Sequence, residues 1–165
     1  VVLTNQEVGA AFNAITYSVL DAMLAAPAHD WVDAYAKAVA KGREKADAQW
    51  QAHQAARAVG SSPSLPLAGY AATYRDRWYG DVHVEQAGDG LRLRFSRTPM
   101  LVGTLEHWQH DTFIVRWDDR SLNADAFVNF ALDVDGKVSS ARMQAISSLT
   151  DFSFDFQDLL LVPRP

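Results

Sequence analysis

Between Tyr70 and Leu161 the sequence is a succession of short runs in which apolar and polar residues alternate. A side-chain period of two marks a strand with one buried face. Trp78, Gly80, Val82 and Val84 fall on one side of such a run, and Tyr79, Asp81, His83 and Glu85 on the other. Leu91, Leu93 and Phe95 alternate with Arg92, Arg94 and Ser96; Phe113, Val115 and Trp117 alternate with Thr112, Ile114 and Arg116. Ala126, Val128, Phe130 and Leu132 share one face. Runs at Tyr70–Arg75, Leu101–Trp108, Val138–Ala145 and Phe152-x-Phe154-x-Phe156 bring the total to about eight strands, spaced ~8–12 residues apart. Gly88-Asp89-Gly90 and Asp133-Val134-Asp135-Gly136 read as hairpin turns, where glycine supplies positive φ. No helix-length segment separates the runs, which argues against a parallel βαβ sheet. One inward face per strand suits an up-and-down antiparallel barrel.

Upstream the texture changes. Val8, Phe12, Ile15, Val19 and Met23 recur at steps of three and four, the stripe of an amphipathic helix that Pro27 stops. Asp30 is placed to cap a second helix, with Asp33 in its first turn and Trp31, Tyr35, Ala38 and Val39 on its apolar face. The pattern thins beyond Gly42, so residues 43–58 read as an exposed helix or a helical linker, with Gly60 as its stop. Gly60 to Pro66 has linker composition. The expected organisation is α+β: a helical segment over 1–64, then an antiparallel β-barrel domain over 65–165.

Charge and composition narrow the function. The net charge of −5 argues against nucleic acid as a partner. Cysteine is absent, which removes disulfides, thiolate catalysis and zinc–thiolate sites. No apolar run approaches the ~20 residues of a membrane-spanning helix. The sequence starts Val1-Val2-Leu3-Thr4 without a methionine, in what reads as mid-strand, and the expectation is a piece of a longer polypeptide.

No complete catalytic constellation emerges. Ala34, Ala38, Gly42 and Val134 stand three residues before the four lysines, so a Ser-x-x-Lys pair is absent. There is no Gly-x-Ser-x-Gly elbow and no phosphate-cradling glycine loop. His107, His110 and Asp111, with His83 on a neighbouring strand, are the best metal candidates, but they read first as a polar turn lacking a third well-placed ligand. Asp133-x-Asp135-Gly136 lacks the later ligands of a calcium loop. Asp151, Asp155, Asp158, Glu85 and Glu106 read as a solvated face rather than paired acid–base carboxylates. Arg92, Arg94 and Arg97 form a basic stripe expected to pair across the sheet, with Glu85 as one partner. No catalytic residue, metal site or cofactor is assigned. Trp78, Phe95, Trp117 and Phe154 are the candidate lining of a cavity if the barrel holds a small apolar ligand.

Four segments together carry a resemblance: Leu67-Ala68-Gly69-Tyr70-Ala71-Ala72-Thr73-Tyr74-Arg75-Asp76 with Trp78-Tyr79-Gly80-Asp81-Val82; Gly103-x-Leu105-Glu106-His107-Trp108; Asp111-Thr112-Phe113; and Asp151-Phe152-Ser153-Phe154-Asp155-Phe156-Gln157-Asp158-Leu159. This set resembles a domain of unknown function that follows the catalytic domain in serine hydrolases of the β-lactamase and penicillin-binding-protein class. The resemblance covers about 65–165 and implies a lipocalin-like barrel. Val1 to Glu7 looks like the last sheet strand of such a catalytic domain, Val8–Leu24 like its closing helix, and Asp30-Trp31 like the start of a bridge. The family's nucleophile motif would precede residue 1, so no catalytic residue transfers. What the resemblance implies is a non-catalytic accessory domain, with the parent hydrolase domain as partner in cis and a periplasmic or secreted location. The Val8–Met23 face is expected to be covered by the barrel or by a second copy of the chain, since a long apolar stripe is rarely left in water.

Overall fold

The computed structural model describes residues 1–5 and 8–164. The chain forms two compact units, Val1–Ala48 and Gln49–Pro165, divided inside the second helix and upstream of the linker where composition changes.

In the first unit, helix α1 spans Gly9–Met23 and helix α2 begins at Trp31, running to Ala56. Asp30 Oδ1 accepts from the Asp33 N–H at 2.9 Å, the cap its position suggests. Trp31 Nε1 donates to Asp21 Oδ2 at 2.6 Å, and the Trp31 ring stacks on Tyr17 with centroids 4.8 Å apart. Within this unit Phe12, Ile15 and Val19 keep 40%, 48% and 49% of their surface, and Ala14 is the buried residue of α1. Val1–Thr4 forms no strand, unlike the expected sheet strand there; Gln6 and Glu7 lie outside the described residues.

The second unit is built on β1 (Ala72–Asp76), β2 (Gly80–Ala87), β3 (Gly90–Phe95), β4 (Val102–Gln109), β5 (Thr112–Trp117), β6 (Ala126–Leu132), β7 (Val138–Ala145) and β8 (Val162–Pro163). Their order in the sheet is β7-β6-β5-β4-β3-β2-β1-β8, with every pair antiparallel. A bridge between Ala141 of β7 and Leu161, just before β8, joins the two ends of that order. The result is a nearly closed up-and-down barrel, the α+β architecture the alternation implies.

The inward faces supply one core. Tyr74, Val82, Leu93, Val115, Trp117 and Val128 are 0–1% exposed. Tyr70, Phe113 and Phe130 meet with centroids 5.1–5.7 Å apart near one mouth. Trp117 contacts Phe95 at 6.2 Å and Phe156 at 6.0 Å, while its Nε1 donates to the Ala124 carbonyl at 2.6 Å. Full burial of each such side chain stabilises by roughly 1.5–3 kcal/mol, and the indole donor is satisfied rather than stranded. Gly88 (φ 58°) and Gly136 (φ 74°) take the left-handed turn positions expected of them.

Two local expectations are corrected. Tyr70 belongs to a 3-10 turn, Leu67–Tyr70, and the strand starts at Ala72. The Phe152, Phe154, Phe156 alternation is not a strand: Ser153 N–H bonds to Asp151 Oδ1, and Phe156–Asp158 is a 3-10 turn. The eighth strand is instead the short Val162–Pro163, preceded by the buried Leu159 and Leu161. Residues 43–56 are continuous helix, and the end of it is used: Trp50 lies 5.3 Å from Trp108 on the outer surface of the barrel, in a cluster with Ile114, Ile146 and Phe127. Arg57 lies 4.4 Å over the Trp108 ring and donates from Nε to the Trp108 carbonyl at 2.7 Å.

At Gly103 the backbone of β5 lies where a side chain would begin. A Cβ there would sit 2.9 Å from the Arg116 carbonyl carbon and 3.0 Å from Trp117 Cα, both backbone atoms that cannot swing aside. Gly103→Ala is expected to destabilise the barrel by about 1–3 kcal/mol, read as a lower midpoint in urea unfolding followed by tryptophan fluorescence.

Candidate functional site

Three of the four candidate cavity residues belong to one chain of ring contacts, and Trp78 stands apart. Phe95 and Trp117 are inside the barrel and touch. Phe154 is partly buried and stacks on Phe156 at 5.7 Å, which connects it to Trp117. Trp78 lies outside, 85% exposed on the turn between β1 and β2. The interior where they were to line a cavity is occupied by rings in contact.

The His107–Asp111 segment is occupied by its own turn. His107 Nε2 lies 2.9 Å from the His110 carbonyl oxygen, and His110 adopts φ 45°. His83 Nδ1 faces Thr73 Oγ1 at 3.0 Å across β1 and β2, as a register pair. No group of three metal-ligating side chains forms among the described residues. Asp111 serves the linker: the Tyr70 hydroxyl donates to its Oδ1, the Ser64 hydroxyl donates to its Oδ2 at 2.8 Å, and the Ser64 N–H adds a third bond at 2.9 Å. Leu65 N–H in turn donates to the Tyr70 oxygen. Burial, and then the bond to Asp111, push the Tyr70 phenol up to about 12. Burial raises the Asp111 carboxyl, but the bonds from Tyr70 and Ser64 outweigh it and hold it below its ordinary value.

Most remaining charges are paired across strands. Arg94 meets Glu85 at 3.1 Å, the expected partner, whereas Arg92 meets Asp118 at 2.8 Å. Arg116 joins Glu106 and Asp125, and Arg120 shares Asp125. Asp133 Oδ1 accepts from the N–H groups of Asp135 and Lys137 at 2.9 Å, which makes that segment a hairpin turn.

One residue to which the sequence reading gave no role, Asp76, shapes a groove on the barrel. Asp76, 7% exposed at the end of β1, accepts three backbone N–H bonds: Trp78 at 2.7 Å and Tyr79 at 3.0 Å on Oδ1, and Leu160 at 3.0 Å on Oδ2. Burial alone would raise its carboxyl; the three donors reverse this and leave it below the ordinary value. The Trp78–Tyr79 turn is thus fixed from inside by Asp76. From outside, Arg97 Nη1 donates to the Trp78 carbonyl at 3.1 Å. Beside this turn lies an open groove of about 780 Å³, walled by Trp78 and Tyr79, the carboxylates of Asp155 and Asp158, and the Leu160–Arg164 segment. Asx-turn signalling by an aspartate two residues before the tryptophan was the clue available in the sequence. A second groove, about 410 Å³, lies against Trp108 and Phe127, with Gln109, Asn129, Gln144 and Gln157 among its lining.

The family model described as a domain of unknown function, DUF3471, matches residues 56–163. The chain belongs to the DUF3471 family. The match starts at the end of α2 and takes in the whole barrel, in agreement with the domain of unknown function over about 65–165 that the sequence resembles. Among solved structures, the C-terminal domain of a penicillin binding protein is similar, with 21% identity over 66% of this chain and 94% of that one and a TM-score of 0.47. No curated protein matches by sequence.

Two substitutions test how the DUF3471 barrel holds its polar turns. Asp76→Asn keeps an acceptor for Trp78 and Tyr79 but turns an amide donor toward the Leu160 N–H; a loss of about 1–3 kcal/mol is expected. The folded carboxyl titrates below the unfolded one at 3.8, so its contribution is present above that value and lost as pH falls below it. Acid unfolding of the wild type should show this component, and the variant should lack it. Tyr70→Phe should cost about 1–2 kcal/mol. In the wild type, the Tyr70 contribution is intact below pH 10.0 and lost as pH rises toward about 12, because the unfolded phenol ionises first; the variant should flatten that alkaline loss.

Proposed function

We propose that this chain carries a non-catalytic C-terminal accessory domain of a β-lactamase-like serine hydrolase, which packs on the parent or extends its substrate surface. The observation that carries this reading is how the resemblance segments are spent. Tyr70, Asp76 and Asp111 hold turns and the linker; Gly103 lets β4 and β5 approach; Trp108 anchors the end of α2; Phe156 and Leu159 fill the barrel. These are the means by which a barrel is made, and none of them pairs a nucleophile with a base. The hydroxyl–imidazole contact of Thr73 with His83 is a cross-strand pair with no carboxylate bonded to the second imidazole nitrogen among the described residues.

In this reading the half-exposed face of α1 is where a parent hydrolase domain, or a second copy of the chain, would pack, since Phe12, Ile15 and Val19 present a contiguous apolar stripe. The periplasmic or secreted location belongs to the same proposal and follows the parent. The competing reading, a small apolar ligand inside the barrel, has the ring contacts of Tyr70, Phe113, Phe130 and Trp117 against it.

Incubating the purified chain with a fluorophosphonate probe or a β-lactam tests the non-catalytic half. Intact mass is expected to stay unchanged. A stoichiometric adduct on a serine would overturn the reading.

A further inference from the structure

One rim of the barrel unit carries a group of exposed apolar residues. The β1–β2 and β3–β4 turns and the segment after β7 all lie at the same end, by the up-and-down order of the strands. That end carries Trp78 (85% exposed), Met100 (53%), Leu149 (54%) and Phe152 (89%). The groove beside Trp78 adds Leu160 and Val162, each almost half exposed. The backbone that carries this exposed indole is fixed by bonds to its N–H and its carbonyl.

Charges of both signs border the same groove. Asp155 and Asp158 come from the segment before β8 and pair with no cation among the described residues. Both aspartates line the groove with Tyr79, whose phenol is raised by burial and then by their field. Cations come from β1, its following turn and the residue after β8. Arg75 and Arg164 share the single carboxylate of Asp81, at 2.8 and 3.1 Å, which leaves one positive charge unmatched. Arg77 makes no ion pair among the described residues. Asp76 does not compete for these cations, because its oxygens are taken by backbone N–H groups.

This pattern restricts the occupant. A purely apolar ligand would cover the indole but desolvate unmatched carboxylates and guanidinium groups, which is unfavourable without partners for them. A ligand of one sign would answer only one of the two sets. We propose that the groove beside Trp78 binds a short peptide with free termini: an apolar side chain on the indole, the ammonium at Asp155 and Asp158, and the carboxylate at Arg77 with the Arg75–Arg164 pair. Charge-assisted bonds of this type are the stronger class of hydrogen bond. The inference concerns this chain alone and does not depend on a parent hydrolase.

The test is titration of the isotopically labelled full chain with the tripeptide Ala-Leu-Ala, following the Trp78 indole N–H by NMR. A saturable shift is expected. Acetylating the peptide's amine or amidating its carboxylate should each weaken binding by about tenfold or more. Asp155→Asn with Asp158→Asn should abolish the difference between free and acetylated peptide, and Arg77→Gln should reduce the difference between free and amidated peptide. Trp78→Ala, at an exposed position, should keep a dispersed spectrum and lose binding. Three results would overturn the proposal: no saturable shift, equal binding of blocked and free peptides, or a Trp78 shift that follows protein concentration alone, which would mean that a second copy covers the rim.

Discussion

An antiparallel sheet ends in two edges of unsatisfied backbone groups, and a barrel exists only if those edges find each other. Here the meeting is narrow. β8 contributes Val162 and Pro163 against β1, and Leu161 makes one bridge to Ala141 of β7. So short a seam has little ladder energy of its own. What supports it is the Asp76 carboxylate, which ties the Leu160 N–H to the end of β1, and the flanking side chains of Leu159 and Leu161, which reach into the core. The same carboxylate shapes the β1–β2 turn. Seam and groove therefore share one buried anion, and neither can relax without the other.

The opposite mouth is held by a second polar knot with a different logic. Tyr70 presents its ring to Phe113 and Phe130 and its hydroxyl to Asp111, so one side chain joins the apolar core to the linker. Ser64 completes the arrangement from the linker side. On the outer wall, Trp50 and Arg57 grip Trp108 from the two sides of the end of α2. The last turns of that helix and the linker are thus parts of the barrel unit, which is why the compact unit and the family match both start upstream of the composition change.

The strand succession was legible because a half-buried strand must alternate, and β2 to β7 do so with few exceptions. The turn glycines were legible because positive φ selects them. The last strand was not. Three phenylalanines at period two imitate a strand, but Phe156 is needed over Trp117 and Asp151 prefers to bond its own backbone two residues on. Trp78 was misplaced for a related reason: alternation was carried across a turn that Asp76 had already reversed. The role of Trp50 was invisible locally, since its partner Trp108 lies far along the chain. The groove depends on residues 75–79 meeting 155–164, a juxtaposition that periodicity does not encode.

Because β1 pairs with β8, the first strand of the barrel waits for the last. During synthesis the hairpins from β2 to β7 can form as each emerges, but the ring cannot close until residues 159–163 have left the ribosome. Until then Tyr74 and Ala141 border an open seam, and the nascent sheet is at its most vulnerable to pairing with another chain. Loss of residues 159–163 would therefore be felt throughout the barrel, far out of proportion to their number.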